Sequence, residues 1–369
     1  MSINGVDFGL NMGSPDIKSV GPIVFGPPSI LFVADNANAS VFAIEIDDSG
    51  DPTQQHSVKV DKLDTIIASH LGCPRSEVFI RGMAVSPSSQ ETYISVMRGS
   101  GDEGASAILK VGVAGTVSEV SLDNVRFSKE TISNAADTSD DRKEVRLLRG
   151  DREGEDVYFG QNKYRVVYDK YRTITVTDMS YVDGALLVAG ASNEEFSSTF
   201  RRLAFPFKGN SEDNSLEIFH VSHGKYETAS PIRNFRLFND KKNVIASYTC
   251  TPVVNFSLDD FASGGHVKGE TVAELGSGNT PLGMVSYLRD GEEYLLVSNS
   301  HYPLMKIACK DLTNQEELTE PKEPLGVKRE TLSHEGVLQM DNLNGSEVIM
   351  LQEDSLGNFN LRSYSTAAL

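Results

Sequence analysis

The chain has 369 residues, ample for a large core, and its 52 acidic against 34 basic side chains leave a formal charge of −18. A surface of that sign repels nucleic-acid phosphates and anionic lipid, so neither nucleic acid nor membrane is an expected partner, and no run approaches the roughly eighteen apolar residues of a membrane span. Cys73, Cys250 and Cys309 are too few and too odd in number for a disulfide framework, and the first residues lack a basic-then-apolar signal; the expected compartment is cytoplasmic, or periplasmic if a leader has been removed.

Along the chain, "GPIVFGP" from Gly21 is an apolar strand, and "ILFVADNANASVFAIEI" from Ile30 reads as two more strands joined by a polar turn. "DKLDTIIASHLG" then places Leu63, Ile66, Ile67, His70 and Leu71 at helical spacing, with Gly72 where a helix stops. The strand and hairpin recur in "RGMAVSP" and "TYISVMRGSGDEGASAILKV" from Thr92, and "TVSEVSL" alternates as a fourth, outer strand. Residues from Ser128 to Arg172 break the pattern: "SNAADTSDDRKE" is followed by the strand-like "DVYFGQNKYRVVYDKYRTITV", which reads as a lid hairpin or as a loop. Four further units follow, with hairpins starting at Ala185, Val244, Tyr294 and Val348, and "SLEIFHV" and "ETVAELG" supply outer strands.

Six copies of one supersecondary unit, starting about 50 to 60 residues apart except for one gap of about 90, predict an all-β fold. That fold is a six-bladed β-propeller forming a single domain over residues 1–369, with one helix between blades 1 and 2 and an insertion of about 128–172 between blades 2 and 3.

Propeller geometry pools residues distant in sequence. The turns between second and third strands open on the same face as the segments leading into the inner strands, so "HVSHGKYETASPIR", His220 to Arg233, arrives at the channel mouth. The candidate catalytic residues there are His223, Glu227, Arg233, Asp178 and Cys250. Arg233 is expected to hold a carboxylate, either that of Glu227 or a ligand's, and a Cys250 thiolate needs a histidine partner such as His223 or His301. Candidate ligand-binding residues are Arg81, Arg98, Asn36, Asn193, Glu194 and Asn299; the arginines either clamp an anion or neutralise nearby carboxylates. His223, Glu227, His301 and His334 form a candidate site for a divalent transition metal, because imidazole with carboxylate suits zinc, copper or iron. His220 and His223 point to opposite faces of a strand, and one metal holds both only if the chain turns at Ser222 or Gly224.

Units such as "PPSILFVADNANASVFAIEI" resemble NHL-type and related bacterial propeller repeats. "TDMSYVDGALLVAGASNEEFSSTFRRLAFPF", "HGKYETASPIR" and "YTCTPVV" resemble a bacterial propeller family described only as hypothetical. The resemblance spans nearly the whole chain and implies the fold without an activity. "SVGPIVFGPPSILFVAD" is similar in frame to the first blade of gluconolactonase-type propellers, where a glutamate opening Glu-Gly-Pro binds calcium; Val20 stands in that place and cannot bind a metal.

Two functions fit these observations. One is an enzyme of lyase, isomerase or hydrolase type acting on a small polar or anionic metabolite. The other is a non-catalytic propeller binding a ligand or a protein. The mouth offers His, Arg, Glu, Asn and Cys, and the chain has no Trp, which favours the enzyme over a protein-binding face built on aromatic anchors.

Overall fold

Two-stranded hairpins are marginal in water and need partners over their apolar faces. The computed structural model, which describes residues 7–48, 57–99, 104–112, 114–148, 153–250, 252–262, 264–276, 278–320 and 326–369, shows how this chain supplies them. Six sheets form from inner strands at Val20–Phe25, Val78–Val85, Asp178–Val182, Ile232–Phe238, Pro281–Arg289 and Val337–Asn344, defining blades 1 to 6; their strands pair antiparallel except for Gly265–Lys268, which joins blade 3 in parallel. The second strands are Ile30–Asp35, Thr92–Arg98, Ala185–Ala191, Asn243–Tyr248, Glu292–Asn299 and Glu347–Glu353, so each predicted hairpin start lies in an equivalent strand. The inner strands touch in a closed ring, and the molecule is an all-β propeller.

Ring order differs from chain order. Around the channel the blades run 1, 2, 6, 5, 4, 3 and back to 1. After blade 1, Lys59–Val60 becomes the outer strand of blade 6, pairing with Leu361 and Arg362. Blade 1 receives its own fourth strand, Val125–Thr131, only after blade 2 is complete. Apolar alternation specifies that a segment is a strand but not which edge it joins. Where blades 1 and 2 meet, a Cβ on Gly82 would come within 3.0 Å of the Ile23 amide nitrogen, so that inner strand approaches its neighbour as only glycine allows.

The core lies between adjacent sheets. Blades 3 and 4 interlock through Phe200, Phe235, Phe256 and Phe261, with Phe200 edge-on to Phe235 at 5.0 Å. The helix Leu63–Leu71 buries Leu63 and Ile67 against Ile349 and Leu361 of blade 6 and Leu109 of blade 2, while His70 stays exposed. It ends at Gly72, in the left-handed region at φ 64, whose N–H reaches the Ala68 carbonyl. None of the helices in the described residues is long and apolar enough to cross a membrane.

The insertion is narrower than the sequence pattern suggests, because Val125–Thr131 belongs to blade 1. Its remainder folds as a three-stranded antiparallel sheet, Lys143–Leu148, Glu155–Phe159 and Asn162–Lys170, ending in a 3-10 turn at Tyr171–Ile174. This sheet lies across the channel. It is tied to blade 2 by Arg81 Nη2 on Glu153 Oε1 at 2.7 Å, and to the connection between blades 4 and 5 by the Leu147 N–H on Thr280 Oγ1 at 2.8 Å. Beneath it, the inner strands and the insertion line an open cavity of about 1610 Å³.

Candidate functional site

His220 ends the outer strand of blade 3, Ser211–His220. A single 3-10 turn, Val221–His223, followed by Gly224 in the left-handed region at φ 63, reverses the chain. Lys225–Glu227 then runs back antiparallel on the strand it has just left, with Lys225 opposite His220 and Glu227 opposite Ile218. This reversal cancels the strand alternation that would separate the histidines and brings their rings to 3.8 Å between centroids, 37° apart.

Glu227 spans both rings: its Oε2 is 3.1 Å from His220 Nδ1 and its Oε1 2.8 Å from His223 Nδ1. Burial works to lower the pKa of His220, but hydrogen bonds to Cys250 and Glu227 and the charges of Glu227 and Glu274 outweigh it and raise the imidazole to about 9. Burial likewise pushes the Glu227 carboxyl up, and the two histidines overcome that push and bring it to about 2. Fully buried Glu274, closing the outer strand of blade 4, accepts the Val221 N–H at 3.0 Å and the Ser222 hydroxyl at 2.8 Å, which fixes the turn carrying the histidines.

Cys250 comes from the turn between the second and third strands of blade 4. It is half-buried, hydrogen-bonded to His220, and held at φ 80, where a non-glycine residue is strained. Its N–H donates to the Asn279 carbonyl at 2.8 Å. Among the described residues, His220, His223 and Cys250 form the group of metal-ligating side chains whose donor atoms all lie within 4.8 Å of one another. Two imidazoles and a thiolate suit zinc or copper, and a carboxylate behind ligating histidines is the usual means of fixing their orientation.

The other candidate residues lie apart from this cluster: Asn36, Arg81, Asp178 and Arg233 line the channel cavity, whereas His220, His223, Glu227 and Cys250, carried by the outer strand of blade 3 and a turn of blade 4, lie outside its lining rather than at the mouth expected from the sequence. Arg233 takes its carboxylate from Asp169 of the insertion, Nη1 to Oδ2 at 3.4 Å, rather than from Glu227, because it stands on an inner strand directly beneath the insertion. Asp178 lines the channel and accepts the Phe235 N–H and Arg236 Nη1, both at 2.9 Å; burial raises its carboxyl pKa against the opposing charge of Arg236. Arg81 is paired with Glu153, and Arg98 is exposed at the end of a blade 2 strand. The three arginines therefore do not converge on an anion. Asn36 exchanges both amide hydrogen bonds with the Val176 backbone, tying blade 1 to the chain entering blade 3. Asn299 is buried and hydrogen-bonded to Asn279 at 2.7 Å. Asn193 and Glu194 are exposed, and the Glu194 carbonyl holds Arg142 at 2.9 Å.

The metal set expected from sequence changes accordingly. His301 lies outside the group, with Nδ1 2.8 Å from Ser300 Oγ and its ring 5.3 Å from Tyr164. His334 also lies outside it, edge-on to Tyr364 at 4.7 Å, with burial holding its imidazole below the usual pKa. Glu227 holds ring nitrogens instead of joining the donor group, and His220 and Cys250 take the vacated places. Gly224, a residue suited to reversing the chain, is the signal in the sequence for His220, and no local pattern points to Glu274. Val20, in place of the calcium-binding glutamate, is buried with its N–H 3.1 Å from Ser106 Oγ.

No family model matches the chain, and no curated protein matches it. Solved structures with a similar fold include the β-propeller domain of Cps50 (Swd1) from Myceliophteria thermophila, 8% identical, covering 94% of this chain and 83% of that one at a TM-score of 0.38. A streptogramin B lyase is 10% identical, with 97% of each chain covered and a TM-score of 0.36. The virginiamycin B lyase of Staphylococcus aureus is 10% identical, with 96% and 98% covered and a TM-score of 0.36. Likeness at this level leaves the site to be read from its own geometry.

Proposed function

We propose that this propeller is a metal-dependent enzyme of lyase, isomerase or hydrolase type, acting on a small polar or anionic metabolite at the His220–His223–Cys250 cluster between blades 3 and 4. A divalent transition metal would be held by His220, His223 and Cys250. The observation that carries the reading is the single carboxylate of Glu227 spanning Nδ1 of both histidines, at 3.1 and 2.8 Å, beside a cysteine within donor range. An Nδ1–H donated to a carboxylate leaves Nε2 as the nitrogen available to a metal, which would displace the second proton of His220, so Glu227 would orient both rings for ligation. Three protein ligands leave a position for water or substrate, and the 47% exposure of the His223 side chain puts the cluster within reach of solvent. A metal there supplies Lewis acidity and an activated water, while the overall charge of −18 favours a small-molecule partner over a polyanion.

The hydrogen bond between Cys250 and His220 supports a second reading, with Cys250 as nucleophile, His220 as its imidazolium partner and Glu227 as orienter. Elemental analysis of protein purified without chelator separates the two. The expected result is one transition metal per chain, lost in His223→Ala and Cys250→Ser while both variants remain folded. Metal-free protein with a thiol that alkylates rapidly would favour the nucleophile; metal-free protein with an inert thiol would leave the non-catalytic binding propeller.

A further inference from the structure

We propose that the insertion sets the geometry of this metal centre through Arg233, a positioning residue that acts on Thr249 and thereby on Cys250. The inference rests on the metal reading above. Arg233 is 7% exposed and engages three partners. Two belong to the insertion: Asp169 Oδ2 at 3.4 Å from Nη1 and the Val145 carbonyl at 3.2 Å from Nη2. The third is Thr249 Oγ1, at 2.8 Å from Nε. Thr249 is buried and immediately precedes Cys250, whose φ of 80 is a conformation that cysteine keeps only where its surroundings enforce it.

The insertion grips the same turn from its other side. The Cys250 N–H rests on the Asn279 carbonyl at 2.8 Å, and the next residue, Thr280, accepts the Leu147 N–H of the insertion at 2.8 Å. The segment carrying Glu227 is anchored as well, with Ser230 Oγ on Glu144 Oε1 at 3.2 Å and Tyr171 Oη on the Ala229 carbonyl at 3.2 Å. Both the thiol ligand and the carboxylate that orients the histidines thus hang on strands that the insertion holds. A cover that merely shielded the mouth would need neither set of ties.

The test uses the full chain loaded with cobalt(II), whose thiolate charge-transfer band reports on Cys250 and whose ligand-field bands report on coordination number. Thr249→Val removes the hydroxyl without changing side-chain shape, Thr249→Ser restores it, and Asp169→Asn weakens the hold of the insertion on Arg233 from the far end. Thr249→Val and Asp169→Asn are expected to fold, to bind cobalt about tenfold more weakly or worse, and to show a diminished charge-transfer band, with Thr249→Ser close to wild type. Folded Thr249→Val and Asp169→Asn with wild-type spectra and affinity would overturn the positioning role while leaving the metal reading intact. Wild-type protein that takes up no cobalt would overturn both.

Discussion

Cys250 combines a strained backbone with a chemically useful side chain. A non-glycine residue held at φ 80 costs about 1–3 kcal/mol, which glycine would not incur. Cys250→Gly should therefore keep or raise the thermal midpoint while abolishing metal uptake; a marked fall in the midpoint would show that the thiol is retained for packing. Glu227 admits a complementary test. Glutamine in its place has one acceptor oxygen where the carboxylate offers two, so it can orient only one of the rings now held at 3.1 and 2.8 Å. Glu227→Gln should weaken metal binding by about 10- to 100-fold with little loss of stability, read by competition with a chromophoric chelator. At this scale the sequence was partly legible. His223, Glu227 and Cys250 could be grouped because strand ends on one face of a propeller converge, but their position outside the channel lining could not be read, and the part of His220 depended on a reversal at Gly224 that only the folded turn makes definite. The Asp169 partner of Arg233 was illegible, since it required knowing how the insertion lies over the channel.

Among the elements, the insertion is held by buried ion pairs whose response to pH has a definite sign. Burial disfavours the charged form of Asp169, but Arg146 and Arg233 outweigh it and hold the carboxyl below its ordinary value of 3.8. A depressed folded-state pKa contributes stability that is present above the unfolded value and lost as pH falls through the folded one. The thermal midpoint should therefore drop on acidification below about pH 4, and Asp169→Asn should show a shallower drop over the same range. An equally steep decline in the variant would assign the acid sensitivity to other carboxylates. The helix Leu63–Leu71 was readable from its apolar spacing and its glycine stop, and its contribution can be measured: Ile67 is fully buried, so Ile67→Ala should cost about 2–5 kcal/mol in urea unfolding. The short helix Cys309–Asn314 escaped detection because six residues carry too little periodicity, although its Cys309 and Leu312 face the core at the i, i+3 spacing of a helix.

Across the whole molecule, the repeats announced a propeller, and the repeat signal survived because each hairpin must bury both its faces between neighbours. The order of the ring left no such trace: outer strands differ little in composition, and nothing local tells Lys59–Val60 that its partner is Phe359–Ser365. That pairing has a consequence for biosynthesis. The ion pair between Asp61 and Arg362, beside the same strands, joins residues 301 apart, so the contacts that close the circle are among the last the ribosome makes possible. A nascent chain holds blade 1 as an open three-stranded fragment until Val125–Thr131 emerges, and Lys59–Val60 waits unpaired until the final blade is translated. During that interval both edges are templates for strands of neighbouring nascent chains, and crowding on a polysome would favour misassembly there over any later stage of folding.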